Sequence, residues 1–233
     1  MNYCESLCRT IQRLCNSGGD NIVLPPEYQR VEYLQSSSDT YIMTGFYPTQ
    51  RFITEIKGAH ISMTSPTFIG GCYYRIASQS KTGNYGISCN PSNTYFQCAS
   101  SVDNGSSYTM VNMQREVDTN VHVFVDNRID NYYAIDGLQT SIADYFYATN
   151  WTQYSLFGRY GNWDGSNAGG SILNTGTMRI YYARIYNPNN ELIKQFIPCY
   201  RKSDNKPGMY DTVNSVFVTK SGSGSEFILG NNV

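Results

Sequence analysis

The fold is decided by the stretch Met178-Arg179-Ile180-Tyr181-Tyr182-Ala183-Arg184-Ile185-Tyr186. It is rich in β-branched and aromatic residues and carries too few charges for an exposed ribbon, so it predicts a largely buried strand. Asn187-Pro188-Asn189-Asn190 then turns the chain, because proline fixes φ and asparagine tolerates the left-handed conformation. We therefore expect the next run, Glu191 to Cys199, to return antiparallel beside the first strand as a hairpin.

A second, shorter hairpin is expected to close the domain. Residues 199–204 continue the returning strand, Pro207-Gly208 is a typical turn pair, and residues 209–217 are again rich in aromatic and β-branched side chains. The sequence thus predicts a turn at Pro207-Gly208 with a strand on each side.

Upstream of these hairpins, short apolar and aromatic runs alternate with turn residues at intervals of about ten residues. The expected strands are Tyr41–Phe46, Phe52–Ala59, Phe68–Ala77, Asn84–Cys89, Thr94–Ala99, Tyr108–Met113 and the strictly alternating Val121–Val125. Punctuation as even as this is typical of an all-β sandwich.

Several motifs within these segments resemble a known family. They are Leu24-Pro25-Pro26-Glu27-Tyr28-Gln29-Arg30-Val31-Glu32-Tyr33-Leu34-Gln35-Ser36-Ser37, Tyr41-Ile42-Met43-Thr44-Gly45, Arg179-Ile180-Tyr181, Arg184-Ile185-Tyr186, Phe196-Ile197-Pro198-Cys199-Tyr200-Arg201, Gly208-Met209-Tyr210-Asp211 and Val216-Phe217. In this order they are similar to signatures of the laminin-G-like, concanavalin-A-like jelly-roll domains of gut phages and gut bacterial surface proteins. The resemblance covers residues 24–230.

This resemblance implies an all-β, concanavalin-A-like jelly-roll β-sandwich. It is weak evidence for function, because the fold carries lectins, adhesins, hydrolases and structural virion proteins. Val121–Val125 followed by Ile135-Asp136-Gly137 also resembles the laminin-G pattern of a strand followed by another that ends in an aspartate-glycine turn. We interpret this layout as two adjacent core strands.

The composition bounds the class of protein. At 233 residues the chain is long enough for one β domain, which we place at residues 21–233. Charged residues make up only 15% and aromatic residues 14%, with 21 tyrosines, so the surface must be built largely from Asn, Ser, Thr, Gly and Tyr. Such a surface suits hydroxyl-rich ligands or large assemblies. The formal net charge of −1 provides no basic field for nucleic acid.

Seven cysteines without an N-terminal signal segment favour synthesis in a reducing cytoplasm. We expect no disulfide framework, although Cys89 and Cys98 could meet across a hairpin. No apolar run approaches the roughly 20 residues that span a bilayer, so no membrane insertion is expected.

The first 20 residues differ from the rest and predict a short amphipathic helix. Its apolar stripe consists of Cys4, Leu7, Cys8, Ile11, Leu14 and Cys15. An isolated helix of this length is marginal in water, so the stripe needs a partner: copies of itself, another protein, or its own domain. We expect residues 1–20 to be an anchor or oligomerisation leader, with the remaining alternative that they fray.

The most ligand-like segment lies between residues 150 and 171. Residues 151–159 predict a strand, and residues 160–170 predict an exposed, glycine-rich connection. An indole there can stack on a sugar while amides and carboxylates bind its hydroxyl groups. The carbohydrate-binding candidates are Trp163, Tyr160, Asp164, Asn162 and Asn167. The alternative is that Trp163 folds back as a lid on the edge of the sandwich.

Catalytic patterns are weak, and we expect a protein that is not an enzyme. The nearest approach to a glucanase motif is Glu116-Val117-Asp118-Thr119-Asn120, in which asparagine stands where a second glutamate is needed for acid/base work. His60 and His122 are expected to be structural, because no nucleophile and orienting group are evident beside them. No CxxC pair indicates zinc.

The resemblance also implies a metal site. Many laminin-G-like domains hold one calcium ion at the rim through aspartate and backbone oxygens. Asp136, Asp164 or Asp126 would supply such ligands here, although no spacing pattern requires it.

Taken together, these features lead us to expect a phage virion accessory protein, such as a capsid decoration or fibre head, made in the bacterial cytoplasm and displayed on the virion surface. The resemblance carries the phage assignment. Its partners would be other virion proteins, bound through the N-terminal helix, glycans of the host surface or mucus, and further copies of itself. The alternatives are a purely structural virion protein without glycan binding and a glycoside hydrolase.

Overall fold

The computed structural model describes residues 22–62, 67–76, 81–90, 95–101, 108–114, 121–126, 132–135, 138–141, 152–163, 170–173 and 175–233. No helix occurs in these residues. Their strands are β1 (Tyr28–Arg30), β2 (Leu34–Gln35), β3 (Ile42–Met43), β4 (Ile53–Ser62), β5 (Thr67–Ile76), β6 (Lys81–Asn90), β7 (Tyr95–Ser101), β8 (Tyr108–Gln114), β9 (Val121–Asp126), β10 (Tyr132–Ile135), β11 (Leu138–Ser141), β12 (Ser155–Leu156), β13 (Arg159–Trp163), β14 (Ser171–Leu173), β15 (Thr177–Tyr186), β16 (Leu192–Arg201), β17 (Lys206–Asp211), β18 (Val216–Thr219) and β19 (Ile228–Leu229).

Two sheets contain these strands. The large sheet follows the order β11-β10-β9-β4-β15-β16-β17-β18, with β1 beside β16, β2 beside β15 and β19 beside β2. The small sheet follows the order β14-β13-β5-β6-β7-β8, with β12 joining β5 to β3. Strand β13 runs parallel to β5, and the neighbouring pairs β5–β6 and β6–β7 are antiparallel.

The core lies between the two sheets. The large sheet contributes Ile56, Ala183 and Phe196, and the small sheet contributes Ile69 and Leu156, all at most 2% exposed. Burying apolar side chains from both sheets in one cluster is what holds a sandwich together. The prediction of an all-β sandwich is therefore confirmed for the residues that the structure describes.

The central hairpin is confirmed. Strand β15 pairs antiparallel with β16, with Ala183 opposite Phe196. In the turn between them, the side-chain oxygen of Asn187 accepts hydrogen bonds from the amides of Asn189 (2.9 Å) and Glu191 (3.0 Å), and Asn190 has φ 66°. Asparagine therefore supplies both the side-chain cap and the left-handed residue of this turn.

The predicted turn at Pro207-Gly208 is wrong, because both residues lie in β17. Pro207 is opposite Tyr200 and lies beyond the end of the β17–β18 ladder, whose last pair is Gly208 with Thr219, and proline is tolerated at the start of a strand. The turn lies instead at residues 202–205, where the Asp204 carboxylate accepts from the Lys206 amide at 3.2 Å.

The other predicted strands correspond to β3–β9. Strand β3 is shorter than predicted and ends at Met43, because the chain turns away at Gly45, which has φ 67°. Strands β9 and β10 are neighbours, as interpreted from the sequence, and β10 pairs with β11. The register places Cys89 opposite Phe96 and not opposite Cys98.

Three sequence predictions lie outside the described residues. They are the N-terminal helix with its stripe of Cys4, Leu7, Cys8, Ile11, Leu14 and Cys15, the Asp136-Gly137 turn, and the Glu116 to Asn120 motif. Within the described residues, no helix is long and apolar enough to cross a membrane.

Candidate functional site

Tyr160 is positioned by an unusual reversal of the chain at Phe157. Strand β12 runs antiparallel to β5 and strand β13 runs parallel to it, so the chain reverses within residues 157–158. Phe157 takes the left-handed conformation with φ 64°, and its side chain is fully buried. Bulky residues rarely adopt this conformation, so the buried ring must stabilise the turn.

The hydroxyl group of Ser155 holds this reversal together. Its oxygen lies 2.9 Å from the carbonyl oxygens of both Gly71 and Gly158, to either of which it can donate, and it accepts from the Tyr160 amide at 2.8 Å. A side-chain hydroxyl therefore takes the place of a backbone partner where the two short strands separate.

The prediction that residues 160–170 form an exposed connection is wrong for Tyr160 to Trp163. These residues belong to β13, with Tyr160 opposite Cys72 and Trp163 opposite Arg75 in β5. Glycine and asparagine at positions 161 and 162 are typical of loops, but here the ladder to a neighbouring strand overrides that preference. Of Asn162 and Trp163 only the backbone is described, and Asp164 and Asn167 lie outside the described residues.

Tyr160 meets a second tyrosine at one end of the sandwich. The ring centroids of Tyr41 and Tyr160 are 6.4 Å apart with an interplanar angle of 31°. Both side chains are half-buried, and Tyr41 packs against the core cluster. Burial and, after it, the neighbouring Tyr160 raise the pKa of Tyr41, so its phenol remains a hydrogen-bond donor at neutral pH.

Two glycines allow the backbone to pack against these rings. A Cβ atom at Gly170 would lie 2.4 Å from Cζ of Tyr160, and one at Gly222 would lie 2.7 Å from Cε1 of Tyr41. Gly222 also has φ 88°. Any other residue would displace the rings or strain the backbone at these points, so the two glycines define the shape of the site.

Polar loops surround the tyrosine pair. Asp39, with φ 59°, donates its amide to Oγ1 of Thr175 at 3.1 Å and accepts from the Gly224 amide at 3.1 Å. Thr40 donates its hydroxyl to the Ser225 carbonyl at 2.8 Å. These bonds lock residues 36–41 to residues 220–225 and leave the Asp39 side chain exposed.

We call this surface the rim. It consists of Asp39, Tyr41, Tyr160, Gly170, Thr175, Ser221 and Gly222. It combines two aromatic rings with a carboxylate and hydroxyl groups, which is the mixture that binds the apolar face and the hydroxyl groups of a sugar.

The sequence predicts Tyr160 as a site residue but does not predict its partners. Its pattern places Tyr41 in a strand, and no motif marks Asp39, Thr175 or Gly222 as site residues. The available signals were the polar segment at residues 36–40 and the alternating run Ser221-Gly222-Ser223-Gly224-Ser225, both of which predict loops. Neither segment indicates by itself that the two loops meet.

The outer face of the large sheet holds a second group of polar residues around Glu55, whose side chain is fully buried. Its two oxygens accept from the hydroxyl groups of Tyr182 (3.0 Å) and Tyr186 (2.7 Å), and Nη1 of Arg184 lies 3.4 Å from Oε2. Burial and, after it, the Glu55 carboxylate raise the pKa of Tyr186. The carboxylate is thus held by donors on the neighbouring strand β15.

The histidine and cysteine side chains of the described core offer no nucleophilic site. His60 is buried with Nδ1 2.9 Å from Oγ1 of Thr67, and burial lowers its pKa to about 3, so the ring is neutral. Burial also raises the pKa of the Cys72 and Cys199 thiols to about 12. Thiols of this kind are not thiolate nucleophiles at neutral pH.

The suggested calcium ligands are not tested by the structure. Asp136 and Asp164 lie outside the described residues, and Asp126 ends β9 opposite Ile53, with only its backbone described. Among the described residues, no group of three or more His, Cys, Asp or Glu side chains is arranged to hold a metal ion. Calcium binding therefore stays a prediction.

No protein-family profile matches the sequence. No curated protein matches it either.

Solved structures do resemble the fold. A putative carbohydrate binding protein from Bacteroides ovatus ATCC 8483 aligns with a TM-score of 0.51 at 8% identity, over 87% of this chain and 60% of that one. The native heptameric SAP-like pentraxin from Limulus polyphemus aligns with a TM-score of 0.40 at 8% identity, over 90% of this chain and 91% of that one. The chain thus spans 60% of the length of the Bacteroides ovatus protein and shares its fold.

Proposed function

We propose that the protein is a non-enzymatic carbohydrate-binding module and that its ligand binds at the rim. The observation that carries this proposal is the half-buried Tyr41–Tyr160 pair enclosed by polar loops. The fold shared with the Bacteroides ovatus protein, which is named a putative carbohydrate binding protein, supports the proposal.

The charges of the rim favour an uncharged sugar. Asp39 is an exposed carboxylate that can accept from sugar hydroxyl groups, and the two phenols can donate to them. Lys220 lies in the adjoining loop, where it keeps its charge and donates its ammonium group to the Gly224 carbonyl. Among the seven rim residues only Asp39 carries a charge, and this carboxylate would repel a carboxylated or sulfated sugar.

Substituting either tyrosine of the rim is expected to weaken glycan binding. Tyr160→Ala and Tyr41→Ala each remove one ring of the stacking surface, so we expect the dissociation constant for a bound glycan to rise about tenfold or more. Isothermal titration with a glycan bound by the wild type measures this change. Thermal unfolding of each variant shows whether it is folded under the assay conditions.

The matched control is Tyr47→Ala. Tyr47 is 37% exposed and accepts a hydrogen bond from Nε2 of Gln153 at 2.7 Å, and neither residue belongs to the rim. Its removal should leave glycan affinity unchanged. Equal affinities in wild type, Tyr160→Ala and Tyr41→Ala, all folded, would place the ligand elsewhere.

We further propose that the module is displayed on a phage virion, as a capsid decoration or fibre head that adheres to host surface or mucus. The resemblance of the sequence to jelly-roll domains of gut phages supports this context. The amphipathic pattern from Cys4 to Cys15, followed by Gly18-Gly19, supports an anchor that joins the domain to a larger particle or to other copies.

Deleting residues 1–20 is expected to yield a folded domain that binds glycans like the full chain but no longer assembles or attaches to particles. Light scattering measures the assembly state, and co-sedimentation with particles measures attachment. Four polar substitutions at Leu7, Ile11, Leu14 and Cys8 in the full chain provide a second variant, which should behave like the deletion. An unchanged assembly state and unchanged attachment in both variants would refute the anchor.

A further inference from the structure

A second polar and aromatic surface lies on the outer face of the large sheet. In β15, Met178 and Ile180 are buried in the core, so Arg179 between them faces away from it. The pairing of β15 with β4 is irregular between Ile180 and Tyr182, which places Tyr181 at a bulge. Bulges re-aim side chains and are frequent beside binding sites.

Arg179 is held in place on an aromatic ring. Its guanidinium carbon lies 4.6 Å from the ring centroid of Tyr33, and its Nε donates to Oε1 of Gln35 at 2.8 Å. Gln35 is the direct partner of Arg179 in the β15–β2 ladder. Stacking and this one bond orient the guanidinium and use only one of its five donors.

A lysine on the next strand adds a second cation. Nζ of Lys57 lies 5.7 Å from the ring centroid of Tyr181, and the rings of Tyr181 and Tyr33 meet edge to face with centroids 5.6 Å apart. The two cations therefore flank one pair of rings. Lys57 is exposed, and both rings and Arg179 are half-buried.

Neither cation is neutralised within the described residues. Other cations pair with carboxylates: Arg184 with Glu55, Lys194 with Asp211, and Arg201 with Asp204. No carboxylate lies within ion-pair distance of Arg179 or Lys57 in the part of the chain that the structure describes. This positive patch occurs in a chain whose formal net charge is −1.

We infer that the surface formed by Tyr33, Gln35, Lys57, Arg179 and Tyr181 is a binding site for an acidic sugar. The terminal nitrogens of Arg179 match the geometry of a carboxylate or sulfate group, and Lys57 adds a second positive charge. The rings offer apolar surface to the sugar itself. This site shares no residue with the rim and carries charge of the opposite sign. It therefore extends the proposed carbohydrate binding from uncharged to acidic glycans.

The test measures binding of three oligosaccharides to the full chain. An oligogalacturonate carries carboxylates, a carrageenan oligosaccharide carries sulfates, and an uncharged galactan oligosaccharide of the same length carries neither. We expect the acidic probes to bind and the affinity to fall as salt is raised from about 50 to 300 mM, because salt screens exposed charges. The probe that binds more tightly identifies the acidic group.

The variants Arg179→Gln and Lys57→Gln locate the site. Each is expected to weaken binding of the acidic probe about tenfold, with a larger loss in the double variant. Lys202→Gln is the matched control, because Lys202 is exposed and donates to the Pro26 carbonyl, and removing it changes the net charge equally. Tyr160→Ala should leave acidic binding unchanged, so failure of the rim and failure of this site are distinguishable.

Three results would overturn the inference: no binding of either acidic probe at low salt, equal affinity in the double variant and in Lys202→Gln, or loss of acidic binding in Tyr160→Ala. Thermal unfolding of Arg179→Gln shows whether lost stacking on Tyr33 has unfolded the protein. If it has, Lys57→Gln decides the matter, because an exposed lysine contributes little to folding.

Discussion

Replacing Glu55 by glutamine is expected to lower the free energy of unfolding by about 3–5 kcal/mol, because the change removes the buried carboxylate that is paired with the buried Arg184. The Arg184 side chain is 4% exposed and forms an ion pair with Glu55. The two residues are direct partners in the ladder between β15 and β4. The hydroxyl groups of Tyr182 and Tyr186 would also lose a charged acceptor. Chemical denaturation of the purified variant measures the effect.

The control for this prediction is Glu27→Gln, since Glu27 is an exposed carboxylate near the start of the described chain. Its substitution should change stability by less than about 0.5 kcal/mol. Exposed ion pairs contribute little, so the comparison separates burial from charge alone. A stability of Glu55→Gln equal to that of Glu27→Gln would show that the Glu55 network is not a structural element of the sheet.

The second large effect concerns the reversal at Phe157. Phe157→Ala removes a fully buried ring whose centroid lies 4.7 Å from that of Phe227, and we expect a loss of about 3–5 kcal/mol. Phe157→Gly loses the same ring but relieves the backbone, which has φ 64°. Glycine should therefore be less destabilising than alanine by about 1 kcal/mol, the reverse of the usual order within a strand.

Urea denaturation of both variants measures this difference. Alanine equal to or more stable than glycine would mean that residue 157 does not hold the left-handed conformation in solution. Phe157→Leu is a useful third variant, because it keeps an apolar side chain and the same backbone cost. We expect its stability to lie between that of the wild type and that of the alanine variant.

The hairpin of β15 and β16 was predictable because each of its signals is local. A continuous run of β-branched and aromatic residues, an Asn-Pro-Asn-Asn turn and a second run are contiguous in sequence, and no distant partner is needed to interpret them. The following turn was misplaced for the same reason. Pro207-Gly208 is a stronger local turn signal than residues 202–205, but the ladder to β16 places it inside a strand.

The rim could be predicted only in part. Tyr160 is predictable because it lies in a segment rich in glycine and aromatic residues, but the same composition predicts a loop there. Its strand conformation follows from parallel pairing with β5, a contact far away in sequence. Tyr41 and Asp39 join it only because the two sheets and the loop after β18 converge at one end of the sandwich. The strand topology decides which loops meet at the rim, and this leaves no periodic pattern in the sequence from which the contact could be predicted.

The surface around Arg179 was also predictable only in part, because it depends on contacts between strands that are remote in sequence. The alternation of β15 predicts that Arg179 and Met178 face opposite sides, but the bulge at Tyr181 shifts the register beyond it. Which rings meet the two cations depends on β2 and β4, whose residues are remote in sequence. The formal net charge of −1 argues against binding of polyanions. The structure nevertheless places two positive charges, on Arg179 and Lys57, beside one pair of aromatic rings.

The most direct test of the account is a glycan array probed with the full chain at low and at physiological salt, beside Tyr160→Ala and Tyr47→Ala. We expect folded wild-type protein to bind a defined set of uncharged glycans, Tyr160→Ala to lose this set and Tyr47→Ala to keep it. Absence of binding to every glycan by a demonstrably folded protein would contradict carbohydrate recognition and favour a purely structural role. Undiminished binding by Tyr160→Ala would contradict the rim as its site.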